Sequence, residues 1–538
     1  MNAVVDTTRV APRIRHGVSP LVWAAGAIAL LAAAPVFAVL ASLLQESENA
    51  SFLWSSTGPD YVAGTLLLCL IVGVGASLIG AGAAALIALT EFPGRRLLSF
   101  ALITPFAIPA YITAYAYTDL LSPFGPVANL LSATTGDGNA GIALPDLRNL
   151  TGAAFVLTLG VYAYVYLAMR ASLAARSGAY LEAARSLGVK PDVAVWRVFL
   201  PAGRAALAGG LALALMETAA DYGVADYFGV RTLSTGIFRT WYGLGDLTAA
   251  SQLAALLFLI ALLLVLLEEG SRRGKGGEDA RAQRGAQRLK LSSTHSVLAF
   301  SFCAAPVLLG FVIPVGVLIL NFQDASGLGA MRGLQRAVIN TGAVGLIGAA
   351  VTILLAIMLA YAARGRNSIV LKSAIRLATL GYALPGAVIA IGILSAVTAA
   401  PGISTVSAGV ALLIYAYAAR FLTAGYNSFA GGLAQINNRT DDAARALGAN
   451  SGRILTKLHL PLSRGAITAG ALIVFIDIAK ELPATLLLQP FNYETMATRV
   501  YRLASDERLA DASPAALILI GMGLIAVALL DRIGAQKR

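Results

Sequence analysis

"LEAARSLGVKPDVAVWRVFLP", Leu181 to Pro201, is charged and amphipathic in a chain that is otherwise mostly apolar. Leu181, Ala184 and Leu187 are spaced to share one helical face, while Arg185 and Lys190 project elsewhere. Gly188 is placed to end that helix, because glycine takes the left-handed C-terminal conformation at least steric cost. Pro191 suits the first turn of a second short helix, and Pro201 marks the entry to the next apolar run. The same frame returns as "DDAARALGANSGRILTKLHLP", Asp441 to Pro461, with Gly448 as the stop, Ser451 as the expected N-cap and Pro461 as the terminator. At an offset of 260 residues Glu182 meets Asp442, Ala183 meets Ala443, Ala184 meets Ala444 and Gly188 meets Gly448.

Around these two elements the chain is that of an all-α polytopic membrane protein. Of its 538 residues 58% are hydrophobic and 13% charged, whereas a soluble domain carries charge on about a quarter of its residues. A bilayer core needs about 20 apolar residues in helical form. Such runs predict about twelve spans, near 21–44, 62–90, 98–120, 151–173, 205–225 and 248–267, then 296–321, 338–363, 378–399, 405–429, 465–487 and 513–531. The polar, basic stretch between the two sets divides the chain into a first half, 1–268, with the loop 181–201, a cytoplasmic linker, 269–292, and a second half, 293–538, with the loop 441–461. Upstream the match continues at an offset of 276, with "FAIPAYITAYAY" around Pro109 answering "YALPGAVIAIGI" around Pro385. Six spans in each half make this a parallel repeat.

Charge sets the expected orientation. Lys and Arg gather in alternate short loops, which places both termini and both quoted stretches in the cytoplasm; Arg499, Arg502 and Arg508, in the last outer loop, run against the trend. The net charge of +12 is scattered among such loops, a topological pattern and not that of a nucleic-acid-binding face. The apolar run Leu21 to Leu44 exceeds the roughly 7–15 residues of a signal-peptide core and is expected to be a retained first span. Cys69 and Cys303 each sit inside an apolar run, where no disulfide framework is expected. His16, His295 and His459 lack metal-ligand spacing, and "GSRRGKGG" lacks the spacing and the Ser or Thr of a phosphate loop. No catalytic residue, metal centre or cofactor is therefore expected on this chain, and no ATP hydrolysis by it.

"EAARSLG" followed thirteen residues after its glycine by "LP" resembles the EAA loop of the membrane subunits of ATP-binding cassette importers, and "DDAARALG…LP" resembles a second, slightly degenerate copy. The resemblance implies a fused permease whose loops form coupling helices docked into two cytoplasmic ATPase subunits, which carry the ATP and Mg. Glu182, Ala183, Ala184 and Gly188 would serve one ATPase protomer, and Asp442, Ala443, Ala444 and Gly448 the other. It also implies a periplasmic binding protein that delivers the cargo, and a place in the bacterial inner membrane. A helix lying in lipid headgroups would also be charged, but it has no need of a fixed glycine spacing or of matched acids.

The span after each loop carries acids in register: Glu217 and Asp221 in "ALMETAADYGVADYF", Asp477 and Glu481 in "VFIDIAKELPATLLLQP". Each pair is four apart and is expected on one helical face. Intramembrane ionisable groups point to function, so Glu217, Asp221, Tyr222, Asp477, Lys480 and Glu481 are candidates to line the translocation pathway. Against this, Lys480 could simply neutralise Asp477, and Pro483 could place Glu481 at a break near the outer surface. "KELPATLLLQPFNYETMATRVY", Lys480 to Tyr501, is similar to the iron(III) branch of these importers, and a ferric ion prefers such oxygen ligands. Thiamine and polyamines are alternative cargoes in related fused permeases. A twelve-span proton-coupled secondary transporter would explain the repeat and the acids, but leaves the two loops without a purpose.

Overall fold

The computed structural model describes residues 20–136, 141, 144–186, 203–272, 288–323, 331, 333–364, 368–400 and 405–535. The first half runs through α1 (Pro20–Ala41), α2 (Gly58–Leu89), α3 (Arg95–Ala101), α4 (Ala110–Leu120), α5 (Leu150–Ser186), α6 (Arg204–Ala220), α7 (Gly223–Tyr227), α8 (Leu233–Leu244) and α9 (Leu247–Arg272). The second runs through α10 (Ser293–Val307), α11 (Ile313–Gln323), α12 (Leu334–Ala363), α13 (Ile369–Ala378), α14 (Gly386–Ala399), α15 (Thr405–Ala434), α16 (Asn438–Ala446), α17 (Arg464–Ala479), α18 (Pro483–Leu488), α19 (Met496–Ser505) and α20 (Leu509–Ala535). Further helices of ten residues or fewer, Pro126–Thr135 among them, and turns join them. One two-residue parallel ladder pairs Thr90 with Leu289 and Glu91 with Lys290.

Among the described residues eight helices are long and apolar enough to cross a membrane, and eleven spans result if each of three bent pairs is counted as one. The expected run near 205–225 is α6, which at 17 residues ends at Ala220. The spans expected near 98–120 and 378–399 are bent by 92° and 107°, between α3 and α4 and between α13 and α14. The cause is local. A residue preceding proline is driven out of the helical region by the proline ring, and Ile108, before Pro109, and Leu384, before Pro385, are both extended, with ψ of 123° and 102°. Each proline then caps a new helix.

The two halves interlock. α1 packs on α12, α13 and α14 of the second half, while α10 and α11, the corresponding first span of the second half, pack on α2, α3 and α4 of the first. Tyr117 on α4 donates to the Leu309 carbonyl at 2.7 Å, and Ser251 on α9 meets Ser395 on α14 at 2.8 Å. With little hydrophobic drive between helices in lipid, close approach through small residues carries the packing. At the α2–α5 crossing a Cβ on Gly80 would lie 2.7 Å from the Tyr162 carbonyl, so only glycine permits that contact.

The repeat extends to hydrogen bonds. Thr232 caps α8 reciprocally with Thr235, and Thr495 caps α19 reciprocally with Thr498. The Thr65 hydroxyl accepts from the Leu233 N–H at 2.8 Å, and Thr341, 276 residues on, accepts from the Met496 N–H at 2.8 Å. Thr341→Val should leave a buried N–H without its partner and cost about 1–3 kcal/mol, with Thr341→Ser close to wild type. Thermal unfolding of the purified variants checks this, and equal stability of Val and wild type would remove the bond from the account.

α9 continues to Arg272, four residues into the stretch 269–292 expected as the linker. At its far end Arg288 lies 3.6 Å from Glu91, which also pairs with Arg95 at 3.2 Å, so the returning strand is tied to the turn after α2.

Candidate functional site

All six expected pathway residues border one central cavity of about 130 Å³. It lies against the first half of α5, at Leu157, Gly160 and Tyr164, where the breaks in both halves converge: Pro109 at the start of α4, and the turns after α6 and α17. Glu217 is on α6 and Asp477 on α17, but the expectation that each acid pair shares one helical face does not hold. α6 stops at Ala220 and α17 at Ala479, so Asp221 and Glu481 lie beyond the helix ends.

There each acid meets the next short helix. Asp221 Oδ1 accepts from the Val224 and Ala225 N–H groups at 2.9 and 3.2 Å, and Glu481 accepts from those of Ala484 and Thr485 at 3.1 and 3.0 Å. Carboxylates at helix N-termini satisfy orphan donors and meet the positive end of the dipole. The break expected from Pro483 is present, since a new helix starts there, and Glu481 beside it is buried and takes Arg420 of α15 as its ion partner. Lys480 does pair with Asp477, at 3.2 Å, and its ammonium also lies 4.4 Å from the centre of the Phe106 ring. Around the cavity stand four acids and two bases, and no ion-pair partner of Glu217 or Asp221 is found among the described residues.

At the other end of the bundle is the second polar loop. Asn437 caps α16, Gly448 ends it with φ of +78°, and Asn450, not Ser451, caps the following turn by accepting from the Arg453 N–H at 2.8 Å. Asp442, Ala443 and Gly448 are exposed, Ala444 is half-buried, and Leu447 beside them is 89% exposed. Asp442 pairs only loosely along its own helix with Arg445, at 3.1 Å.

The buried acid is its neighbour, Asp441. Arg364 holds it with two bonds, Nε to Oδ2 at 2.7 Å and Nη2 to Oδ1 at 3.0 Å, and also donates to the Leu433 and Ile436 carbonyls. His459, fully buried, meets Asp441 Oδ1 at 2.9 Å. Burial pushes the Asp441 pKa up, but the bonds from Arg364 and His459 outweigh it and hold the carboxyl below its ordinary 3.8. In the first copy, Glu182, Ala183 and Ala184 lie on the last turns of α5, and Gly188 falls outside the described residues, as does His16.

Sequence reasoning passed over Arg364, Asp441, His459 as a bonded group, and Arg420. Arg420 carried a signal, since an arginine inside the apolar run "YAYAARFLTAGY" is costly unless paired. Arg499, Arg502 and Arg508, which ran against the charge trend, are paired locally, the first two with Glu494 at 3.2 and 2.7 Å and the third with Asp511 at 2.6 Å.

Two repeated sets of broken spans around a polar cavity, with a polar loop sequence repeated once in each half, define a multi-pass membrane permease. The chain belongs to the family described as the binding-protein-dependent transport system inner membrane component, which matches it twice, at residues 76–268 and 352–537. It is similar to the Fe(3+)-transport system permease protein FbpB 2 of Haemophilus influenzae, 24% identical over 90% of this chain and 92% of that protein. A ferric transport system permease, FbpB 1, of the same organism is 23% identical over 74% of this chain and 65% of its own length. The sulfate transport system permease protein cysT of Nephroselmis olivacea is 30% identical, over 35% of this chain and 64% of that protein.

Proposed function

We propose that the chain is the two-in-one permease of an importer for iron(III), with cargo delivered at one face by a binding protein and force delivered at the other by two ATPase subunits that hold the ATP and Mg. The observation that carries this reading is the central cavity, which combines an excess of carboxylates with a neighbouring tyrosine, Tyr222, at the meeting point of both halves. Oxygen donors suit a hard cation, and two more acids than bases disfavour an oxyanion such as sulfate. Similarity over nearly full length to a ferric permease supports the same cargo.

In this reading the exposed Asp442 and Ala443 of α16, Leu447 directly after it, and the matching Glu182 to Ala184 turn of α5, seat in the ATPase subunits. Closure of the ATPases would then bias two packings of the spans through contacts that differ between them. Reconstitution with the binding protein and ATPase into liposomes should give ATP-dependent uptake of radiolabelled iron(III), and no uptake of sulfate or thiamine. The Ala184→Glu/Ala444→Glu variant should lose that uptake together with ATPase co-purification. Sulfate or thiamine uptake without iron would overturn the cargo, and retained assembly in the variant would overturn the docking.

A further inference from the structure

The duplicated fold supplies an internal control, because a side chain that packing alone requires should have a like partner in the other half. The tyrosines at the start of α4 do not. Tyr111 and Tyr115 correspond, at the offset of 276, to Ala387 and Ile391 on α14, which are just as buried. Asp226 and Tyr227 on α7 correspond, at 260, to Leu486 and Leu487 on α18. The fold is therefore built without oxygen atoms at these positions in one half and carries them in the other.

The two α4 tyrosines are also under-used by the protein. Tyr111 is 4% exposed and Tyr115 1%, and neither hydroxyl has a hydrogen-bond partner among the described residues; Tyr115 comes near Ser505 without closing a bond. A buried hydroxyl left unmatched costs about 1–3 kcal/mol, so two on one helical face call for a reason. Their placement supplies one. Tyr111 borders the central cavity, and Tyr115, one turn on, borders a second cavity of about 520 Å³ formed with Asp119, Arg148, Tyr227 and Glu507. That cavity lies at the start of α5, whose 37 residues carry the chain about 55 Å to the loop at its other end, so the cavity opens opposite the coupling loops. The rings form a continuous row, Tyr111 to Tyr115 at 6.0 Å and Tyr115 to Tyr227 at 4.4 Å. Beside it Tyr501, from the second half, donates to Asp226 at 2.6 Å and meets the Tyr222 hydroxyl at 3.1 Å.

We propose that Tyr111 and Tyr115 are the middle rungs of a one-sided oxygen track, along which a hard trivalent cation exchanges hydration water for phenol oxygens as it passes from the outer cavity to the central acids. The inference rests on the iron(III) reading for its cargo, but not for its chemistry, since any hard trivalent ion tests it. The Tyr222–Tyr501–Asp226 contact joins the halves across this track, so their separation would release further oxygen donors beside it.

The test uses the full chain in phosphatidylcholine nanodiscs titrated with terbium(III), whose emission is sensitised by tyrosine at contact distance. Tyr111→Phe/Tyr115→Phe is expected to lower the sensitised emission several-fold, while Tyr117→Phe, which removes a hydroxyl bonded to the Leu309 carbonyl, leaves it unchanged. In the reconstituted importer the double variant should slow iron(III) uptake about tenfold, the scale on which lost metal-supporting groups act, with ATPase co-purification retained. Equal terbium emission in the wild type and the double variant would overturn the track. Terbium emission lost in the variant, with no iron uptake by the wild type, would leave the track standing and sink the iron cargo instead.

Discussion

Replacing Arg364 with alanine is expected to cost about 3–5 kcal/mol and to unseat the second polar loop, because it strips a buried carboxylate of its main counter-ion. Arg364 spans the gap between the end of α12 and the loop, bonding both Asp441 oxygens and two carbonyls at the end of α15 and just beyond it. Lysine offers a point charge in place of the planar fork, so Arg364→Lys should recover only part of the loss. The pH dependence has a definite sign. Asp441 is held below its ordinary 3.8, so its contribution is fully present above that value and is lost as pH falls through the lowered folded value. In Arg364→Ala the main lowering influence is gone, and the acid-sensitive range should move up. Thermal unfolding and proteolysis at Arg445, followed from pH 7 downward, read both effects; a variant as stable and as protected as wild type would show that the loop is anchored by other contacts. At the same register the first copy has Leu181 and Phe199 in place of Asp441 and His459, so its loop cannot be fixed by the same ions.

The second large effect is expected at Arg420. With Arg420→Ala the buried Glu481 loses its ion partner and should destabilise the protein by about 3–5 kcal/mol. Glu481 also anchors the start of α18 through the Ala484 and Thr485 N–H groups, and Thr485 in turn meets the Tyr417 hydroxyl of α15 at 2.7 Å, so the disturbance should reach the α15–α18 contact. Removing both charges together, as Arg420→Met/Glu481→Gln, should restore much of the stability, because glutamine still accepts from the helix end and no charge is stranded. Calorimetry on the single and double variants separates the cases. If the single variant unfolds at the wild-type temperature, the pair is not a structural tie, and its acid belongs wholly to the cavity.

The duplication was legible because residues repeat at a fixed offset: Gly448 takes the left-handed turn, and Gly188 holds the same place in the sequence frame 260 residues earlier. The span positions were legible because runs of apolar residues announce themselves. The breaks within them were not read, although Pro109 and Pro385 lay in the matched blocks, because averaging hydropathy over a window ignores what a proline does to the residue before it. The same averaging hid Arg420, one charge among apolar neighbours. Following the repeat drew attention to Asp442, which aligns with Glu182 and is exposed, and passed over Asp441, which aligns with a leucine and is the one tied into the bundle. The six pathway candidates do meet in one cavity, but the expectation of shared helical faces failed at Asp221 and Glu481, where the chain leaves the helix to start another.

Two identical chains around an axis would present every wall residue twice, so a polar wall could never face an oily one. Joining the halves in one polypeptide lifts that restriction, and here α4 carries Tyr111 and Tyr115 where α14 carries Ala387 and Ile391. One copy can keep the scaffold's packing while the other departs from it, which makes division of labour within a duplicated channel physically available to a single chain.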